Sequence, residues 1–329
     1  MTLRVGTKVA NFGPDAHLLA EAAIACEEAG ADSLWLSDRV VTVPSPTAAY
    51  PFTDDGTVPW TSETPFVDSI VAMATIAAVT HRAEIGTGVL VLPLRSPLVL
   101  AKQLASVDAL SGGRVILGVG AGWMAEEYDL LGVPYAERGA RTDEAVTVLR
   151  ACWQDQPPAV AGRYYSVPAG LGTRPVPAHR IPILVGGMTP AALRRAGRLD
   201  GWYGYIQADR LSAPDVAAAL AVVRAARSER EAASGGAGAG AGAAGAGAAG
   251  AGAGGGVPRD VLRLVGSPDV AAGAARDLVS AGITEVVIDV DWRNLERARQ
   301  EIERVRDGAA SDRAVAEAAS ARLSSGQAR

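Results

Sequence analysis

The 329-residue chain sets 31 Lys and Arg against 36 Asp and Glu, for a formal net charge of −5. Its basic residues are scattered, which argues against nucleic acid or an anionic membrane as a partner. Hydrophobic residues make up 49%, yet the longest apolar runs, such as 115–119, are strand-sized and far below the ~20 residues that cross a bilayer.

The expectation is a soluble, cytoplasmic protein acting on a small molecule. Met1 leads directly into a strand-like run with no apolar leader segment. Cys26 and Cys152 fall inside helical patterns without metal or CxxC spacing, so both read as reduced packing residues.

Eight short apolar runs are predicted as strands, at 3–9, 33–36, 85–91, 115–119, 181–185, 202–206, 261–265 and 284–289. Segments with apolar residues at i, i+3 and i+4 lie between them, at 18–29, 70–79, 98–110, 145–153 and 216–226, and are predicted as helices. Continuous apolar strands alternating with helices imply a parallel sheet covered by helices, and eight such units imply closure. The predicted fold class is therefore α/β, a (β/α)8 TIM barrel over 1–307, with a doubly wound open sheet as the alternative.

After the second strand come Ser37-Asp38-Arg39, where a barrel presents its reactive groups. Asp38 and Arg39 are catalytic candidates, against the plainer reading of a local cap or ion pair. The insertion 39–63, rich in Pro, Thr, Ser and aromatics, follows on the same face and is expected to wall an active-site pocket.

The third strand contains Gly86 and Gly88 within Ile85-Gly86-Thr87-Gly88-Val89. Glycine inside a strong strand marks a bulge, a close backbone approach to a ligand, or a barrel-corner kink. The fourth ends in Gly118-Val119-Gly120-Ala121-Gly122-Trp123, which looks like a dinucleotide motif but follows the wrong strand for one. Gly120 is read as opening the mouth, with Trp123 and Glu126 near the ligand. The proline-rich connection 154–180 starts on the opposite face.

Gly186-Gly187-Met188-Thr189-Pro190 follows the fifth strand and opens a helix. Free N–H groups and the positive dipole end there suit a phosphate, although an ordinary capped helix would read the same way. Residues 235–256 are only Gly and Ala; they are expected to form a flexible loop on the far face, unconnected with cofactor binding. The segment 308–329 reads as a flexible tail. His17 near the start of the first helix, His81 in a loop and His179 before the fifth strand are not placed as catalytic bases, and no hydrolase triad or metal-ligand spacing is present.

Leu34-Trp35-Leu36-Ser37-Asp38, Ile85-Gly86-Thr87-Gly88-Val89, Leu110-Ser111-Gly112-Gly113-Arg114, Gly118-Val119-Gly120-Ala121-Gly122-Trp123 and Gly186-Gly187-Met188-Thr189-Pro190 together resemble the luciferase-like monooxygenase superfamily. The segment from Pro134 to Glu144 is similar to its coenzyme F420-dependent oxidoreductase branch. The resemblance implies a barrel, a homodimer, and a cofactor ring resting on a bulge at Thr87, Gly88 and Val89. It also implies a non-prolyl cis peptide from Gly88 to Val89 and a phosphate held by Gly186, Gly187, Met188 and Thr189.

The sequence departs from the relatives at one position. Many of them carry Ser-Asp-His after the second strand, whereas this chain has Ser37-Asp38-Arg39, and arginine does not give up its proton at neutral pH. Three functions are consistent with the resemblance. The first is hydride transfer between coenzyme F420 and a small organic substrate, with Asp38 or Glu126 as proton partner and Arg39 holding an anionic substrate or the reduced ring. The second is an FMN-dependent monooxygenase. The third is a flavin-binding barrel without turnover. An F420 glutamate tail would need a cationic exit groove, for which Lys102, Arg174, Arg194 and Arg195 are available.

Overall fold

The structure, a computed structural model, describes residues 2–44, 46–53, 55–236 and 258–325, with side chains omitted at 234–236 and 311–325. In chain order the elements are β1 (Arg4–Lys8), α1 (Leu19–Glu28), β2 (Ser33–Leu36), α2 (Ser69–Val79), β3 (Glu84–Thr87) and β4 (Leu90–Val91). They continue with α3 (Pro97–Ser111), β5 (Val115–Gly120), α4 (Ala125–Leu130), α5 (Arg138–Cys152), β6 (Val160–Ala161) and β7 (Ser166–Val167). The last are β8 (Ile183–Gly186), α6 (Pro190–Arg198), β9 (Gly201–Gln207), α7 (Ala213–Gly236), β10 (Arg259–Val265), α8 (Pro268–Ala281), β11 (Glu285–Ile288) and α9 (Leu295–Ser325).

Parallel pairings run β3-β2-β1-β11-β10-β9-β8-β5, and β3 also pairs with β5, closing the barrel. β3 and β4 are two halves of one strand, both paired with β5 and separated by Gly88 and Val89. All eight predicted strands are therefore present. The third is split because a cis peptide joins Gly88 to Val89, as the resemblance implied.

Two apolar layers follow from the period-2 alternation of strand side chains. Outward residues such as Leu34, Leu117, Ile183 and Val286 pack under the helices. Trp35, Ile116, Leu184, Tyr203, Val261 and Val287 form a separate cluster inside the barrel, with Val89 packed against it. The Trp35 and Tyr203 rings stand 4.8 Å apart at its centre.

Elements that the apolar spacing did not single out include α4, α8, α9 and the β6–β7 hairpin, which lies within the long connection 154–180. The hairpin's connection hangs on one carboxylate: Glu144 accepts from the Tyr164 and Tyr165 amides. Helix α7 continues to Gly236, into the first two residues of the Gly-Ala tract, and the rest of that tract lies outside the described residues. Helix α9 runs through the segment read as a tail, to Ser325. No helix among the described residues is long and apolar enough to cross a membrane.

Candidate active site at the barrel mouth

One pleat beyond the inner apolar layer, toward the C-terminal strand ends, the same faces carry Lys8, Ser37, Gly88, Gly118, Gly186, Tyr205, Arg263 and Asp289. They divide into two halves. Strands β3 to β8 contribute glycines, and strands β9 to β2 contribute charges and hydroxyls.

In the glycine half, Val89 fills the space that side chains would otherwise take. A Cβ at Gly120 would lie 2.7 Å from a Val89 methyl, one at Gly186 2.8 Å, and one at Gly118 2.0 Å from the Thr87 carbonyl oxygen. Gly120 therefore makes room for the bulge rather than opening the mouth by itself. Gly88 and Val89 are half-buried, with the Val89 methyls turned toward Gly118, Gly120 and Gly186. Thr87 is fully buried with its hydroxyl donating to the Gly118 carbonyl at 2.7 Å. The bulge thus offers a ligand Gly88 and Val89, and the expectation for Thr87 is corrected to a strut beneath them.

The turn after β8 is open. Gly187 takes φ +112°, a conformation that glycine adopts without strain, and its carbonyl accepts from the Trp202 indole at 2.9 Å. Met188 and Thr189 are exposed, and the Thr189 hydroxyl caps α6 by accepting from the Ala192 amide at 3.3 Å. This nine-residue helix starts directly after the C-terminal end of β8, the end of the barrel at which the mouth lies.

The three catalytic candidates have partners that redefine them. Asp38 is buried and accepts from the Ser69 hydroxyl (2.8 Å), the Val91 amide (2.9 Å) and Arg95 (2.5 Å). Its carboxylate is committed to tying β2, β4 and α2 together, so it has no free oxygen with which to serve as the proton partner.

Arg39 is also buried, paired with Glu127 at 2.7 Å, with its guanidinium 5.1 Å from the Trp60 ring and 5.4 Å from Trp123. Glu127 accepts from the Val40 amide too, at 2.9 Å. The Arg39 guanidinium anchors the insertion through Glu127, and its buried Nε has no hydrogen-bond partner among the described residues. Glu126 accepts from the Thr47 hydroxyl and amide, both at 2.5 Å, and these bonds hold its carboxyl below the usual carboxylate range. It is ionised at neutral pH and is a poor proton donor.

The insertion lies across the mouth as an aromatic arch. Tyr50 packs on Trp60 (5.1 Å) and Trp123 (5.3 Å), Phe52 on Tyr205 (4.2 Å), and Gln207 donates to the Phe52 carbonyl at 2.9 Å. Asn11 fastens its base, accepting from the Ser37 amide at 3.0 Å and donating to the Ser37 and Val67 carbonyls, each at 2.9 Å.

The charged half went unnoticed in the sequence. Lys8 donates to the Ser37 hydroxyl and stands 5.5 Å from the Phe12 ring centre. Burial, then the nearby Arg263 cation, pushes its ammonium down to about 7, with Asp289 pulling the other way. Arg263 is buried and forks both oxygens of Asp289 at 2.6 Å. Burial likewise raises the Tyr203 and Tyr205 phenols, which stay neutral. Lys8 could have been found from composition, since of the 31 Lys and Arg only Lys8 and Lys102 are lysines.

The cations offered for an exit groove are mostly engaged elsewhere. Lys102 donates to the Arg174 carbonyl, Arg174 pairs with Asp155, and Arg195 pairs with Asp143 at 2.6 Å, while Arg194 is exposed in the second turn of α6. A cavity of about 440 Å³ lies at the opposite end of the barrel, beside Arg4, Arg259 and Glu285. Those groups neutralise one another through Glu84 and Glu285, and barrel chemistry belongs to the other face.

The sequence profile described as luciferase-like monooxygenase matches residues 3–244. An F420-dependent glucose-6-phosphate dehydrogenase of Amycolatopsis mediterranei is 33% identical over 204 residues, covering 60% of this chain and 55% of its own. The chain spans between 49% and 62% of the length of the curated relatives it matches. Among solved structures, an F420-dependent secondary alcohol dehydrogenase in complex with an F420-acetone adduct superposes with a TM-score of 0.67 at 16% identity, covering 93% of this chain and 99% of that one. The FMN complex of the oxygenating constituent of 3,6-diketocamphane monooxygenase, a type II Baeyer-Villiger enzyme of Pseudomonas putida, gives 0.65 at 14%, covering 94% and 99%. At these identities the two structures establish a shared fold, and that fold serves both cofactors.

Proposed function

The chain belongs to the luciferase-like monooxygenase family, and from that premise we propose that it is an oxidoreductase passing a hydride between coenzyme F420 and a small organic substrate. The observation that carries the reading is the glycine half of the mouth, where half-buried Gly88 and Val89 stand beside the Gly186–Thr189 turn. Backbone without intervening side chains suits a flat ring, and amides at a helix start suit a phosphate. The F420-dependent relative favours the deazaflavin over FMN.

When bound, the deazaflavin supplies the carbon that gives or takes the hydride. The chain's own residues bind and orient. Gly88 and Val89 form the shelf, Gly120 and Thr87 support it, and Trp123 flanks it. Gly186, Gly187, Met188 and Thr189 hold the phosphate. Asp38 and Arg95 fix the shelf against α2. The Arg39–Glu127 pair anchors the arch, and Tyr50, Phe52 and Trp60 exclude water from the substrate. Glu126 holds the arch at Thr47. The homodimer that the resemblance implies is part of the proposal.

Separate fluorescence titrations of the purified protein with F420 and with FMN test the reading. F420 is expected to bind at least about tenfold more tightly, a difference of ~1.4 kcal/mol. Tighter binding of FMN would replace hydride transfer by FMN-dependent oxygenation, and binding of neither would remove the cofactor site from the mouth.

A further inference from the structure

The charged half contains one group able to exchange a proton with a substrate at neutral pH. We propose that Lys8 is the acid–base catalyst of this site, giving its Nζ proton to the substrate heteroatom as the neighbouring carbon takes the hydride; this rests on the proposed function above. In that step a C–H and a heteroatom–H bond form, and the substrate's double bond and one Lys8 N–H bond break. The reduced deazaflavin, losing the hydride, ends oxidised by two electrons. Lys8 ends as a neutral amine that solvent reprotonates, and in the oxidising direction the amine takes the proton back.

Four observations converge. Lys8 ends β1 one pleat beyond the inner apolar layer, so its side chain opens on the mouth and meets the Ser37 hydroxyl. Arg39, the cation mounted just after β2, cannot release a proton and is paired with Glu127. Of the two carboxylate candidates, Asp38 accepts from three donors, and Glu126 is held below the usual carboxylate range by Thr47, its Oε2 having no partner among the described residues. Finally, arginine fills nearly every cationic position of this sequence, and the mouth is one of two places with lysine.

The groups set against Lys8 are Ser37 just past β2, Phe12 from the loop after β1, Arg263 from β10 and Asp289 beyond β11, with Tyr205 of β9 in the same layer of strand-end side chains. Arg263 is matched by Asp289, which therefore offsets the burial of the Lys8 ammonium only in part. A neutral amine is therefore accessible near neutrality, which a proton carrier requires.

The experiment uses the full chain labelled with lysine carrying ¹³C at Cε, which gives two lysine signals, assigned with Lys102→Arg. The Lys8 signal is expected to titrate with a midpoint near 7 and to move when F420 is added. A midpoint in the ordinary lysine range, about 10.4, overturns the proposal. So does a Lys8 signal unmoved by F420 while fluorescence shows the cofactor bound, because Lys8 would then be remote from the reacting carbon. If F420 does not bind at all, the proposed function fails first, visibly in the fluorescence, and the catalytic assignment falls with it whatever the titration shows.

Discussion

The two halves of the barrel mouth solve different problems with different residues. From β3 to β8 the mouth is backbone: Gly88, Gly118, Gly120 and Gly186 surround Val89, and additional side-chain atoms there collide with the bulge or its supports. From β9 to β2 it is functional groups: Tyr205, Arg263, Asp289, Lys8 and Ser37. Shape decides the first half and charge the second. Substitutions should accordingly act through packing on one side and through pH on the other.

The largest effect is expected at the joint between them. Glu127 holds Arg39 across the gap, and removing one member leaves a buried charge without a partner. Glu127→Ala should cost about 3–5 kcal/mol in chemical denaturation. Replacing both together, with Arg39→Met and Glu127→Leu, should cost less than either single change, and an additive loss would show that the pair is not a unit.

Within the glycine half, Gly118→Ala drives a methyl group into the Thr87 carbonyl at 2.0 Å, for an expected loss of about 3 kcal/mol. Gly120→Ala and Gly186→Ala meet only Val89 methyls. Val89→Ala should rescue those two and leave Gly118→Ala unrelieved. Rescue of all three, or of none, would break the account of Val89 as the common obstacle.

The charged half should instead reveal itself through pH. Lys8 falls from 10.5 to about 7 on folding, so between those values the unfolded chain binds more protons and stability rises with pH. Moving from pH about 7 to about 8.5 should stabilise the parent by about 2 kcal/mol more than Lys8→Met. Parallel curves for the two proteins would mean that Lys8 is not depressed. On a substrate that supports turnover, Lys8→Arg keeps the charge and should erase the corresponding limb of the pH–rate profile.

The smallest effect is expected at the rim. Gly187 has φ +112°, so Gly187→Asp would strain the turn as well as charge it. Met188→Glu, at an exposed side chain, places the negative charge without the strain. F420 affinity should fall about tenfold, or ~1.4 kcal/mol, with the melting temperature unchanged. Unchanged affinity would move the phosphate away from α6.

The sequence by itself determined the architecture. Eight apolar strand runs alternating with helical periods allow one closed parallel solution, and each run reappears in the barrel. It also pointed to the glycine half, because glycine in a strong strand is costly and so is a legible signal at Gly88 and Gly186. Tertiary structure alone decided which polar residues are free to act. Asp38, Arg39 and Glu126 stand beside strand ends in the sequence, yet their partners Ser69, Arg95, Glu127 and Thr47 lie 31, 57, 88 and 79 positions away. Lys8 shows the reverse: at the end of β1 it reads as an ordinary solvated lysine, and only closure of the barrel sets Arg263 and Asp289 around it. Local pattern fixes where a side chain is mounted, whereas the proton affinity and availability of a charged group are set by the desolvation and neighbouring charges that packing brings together.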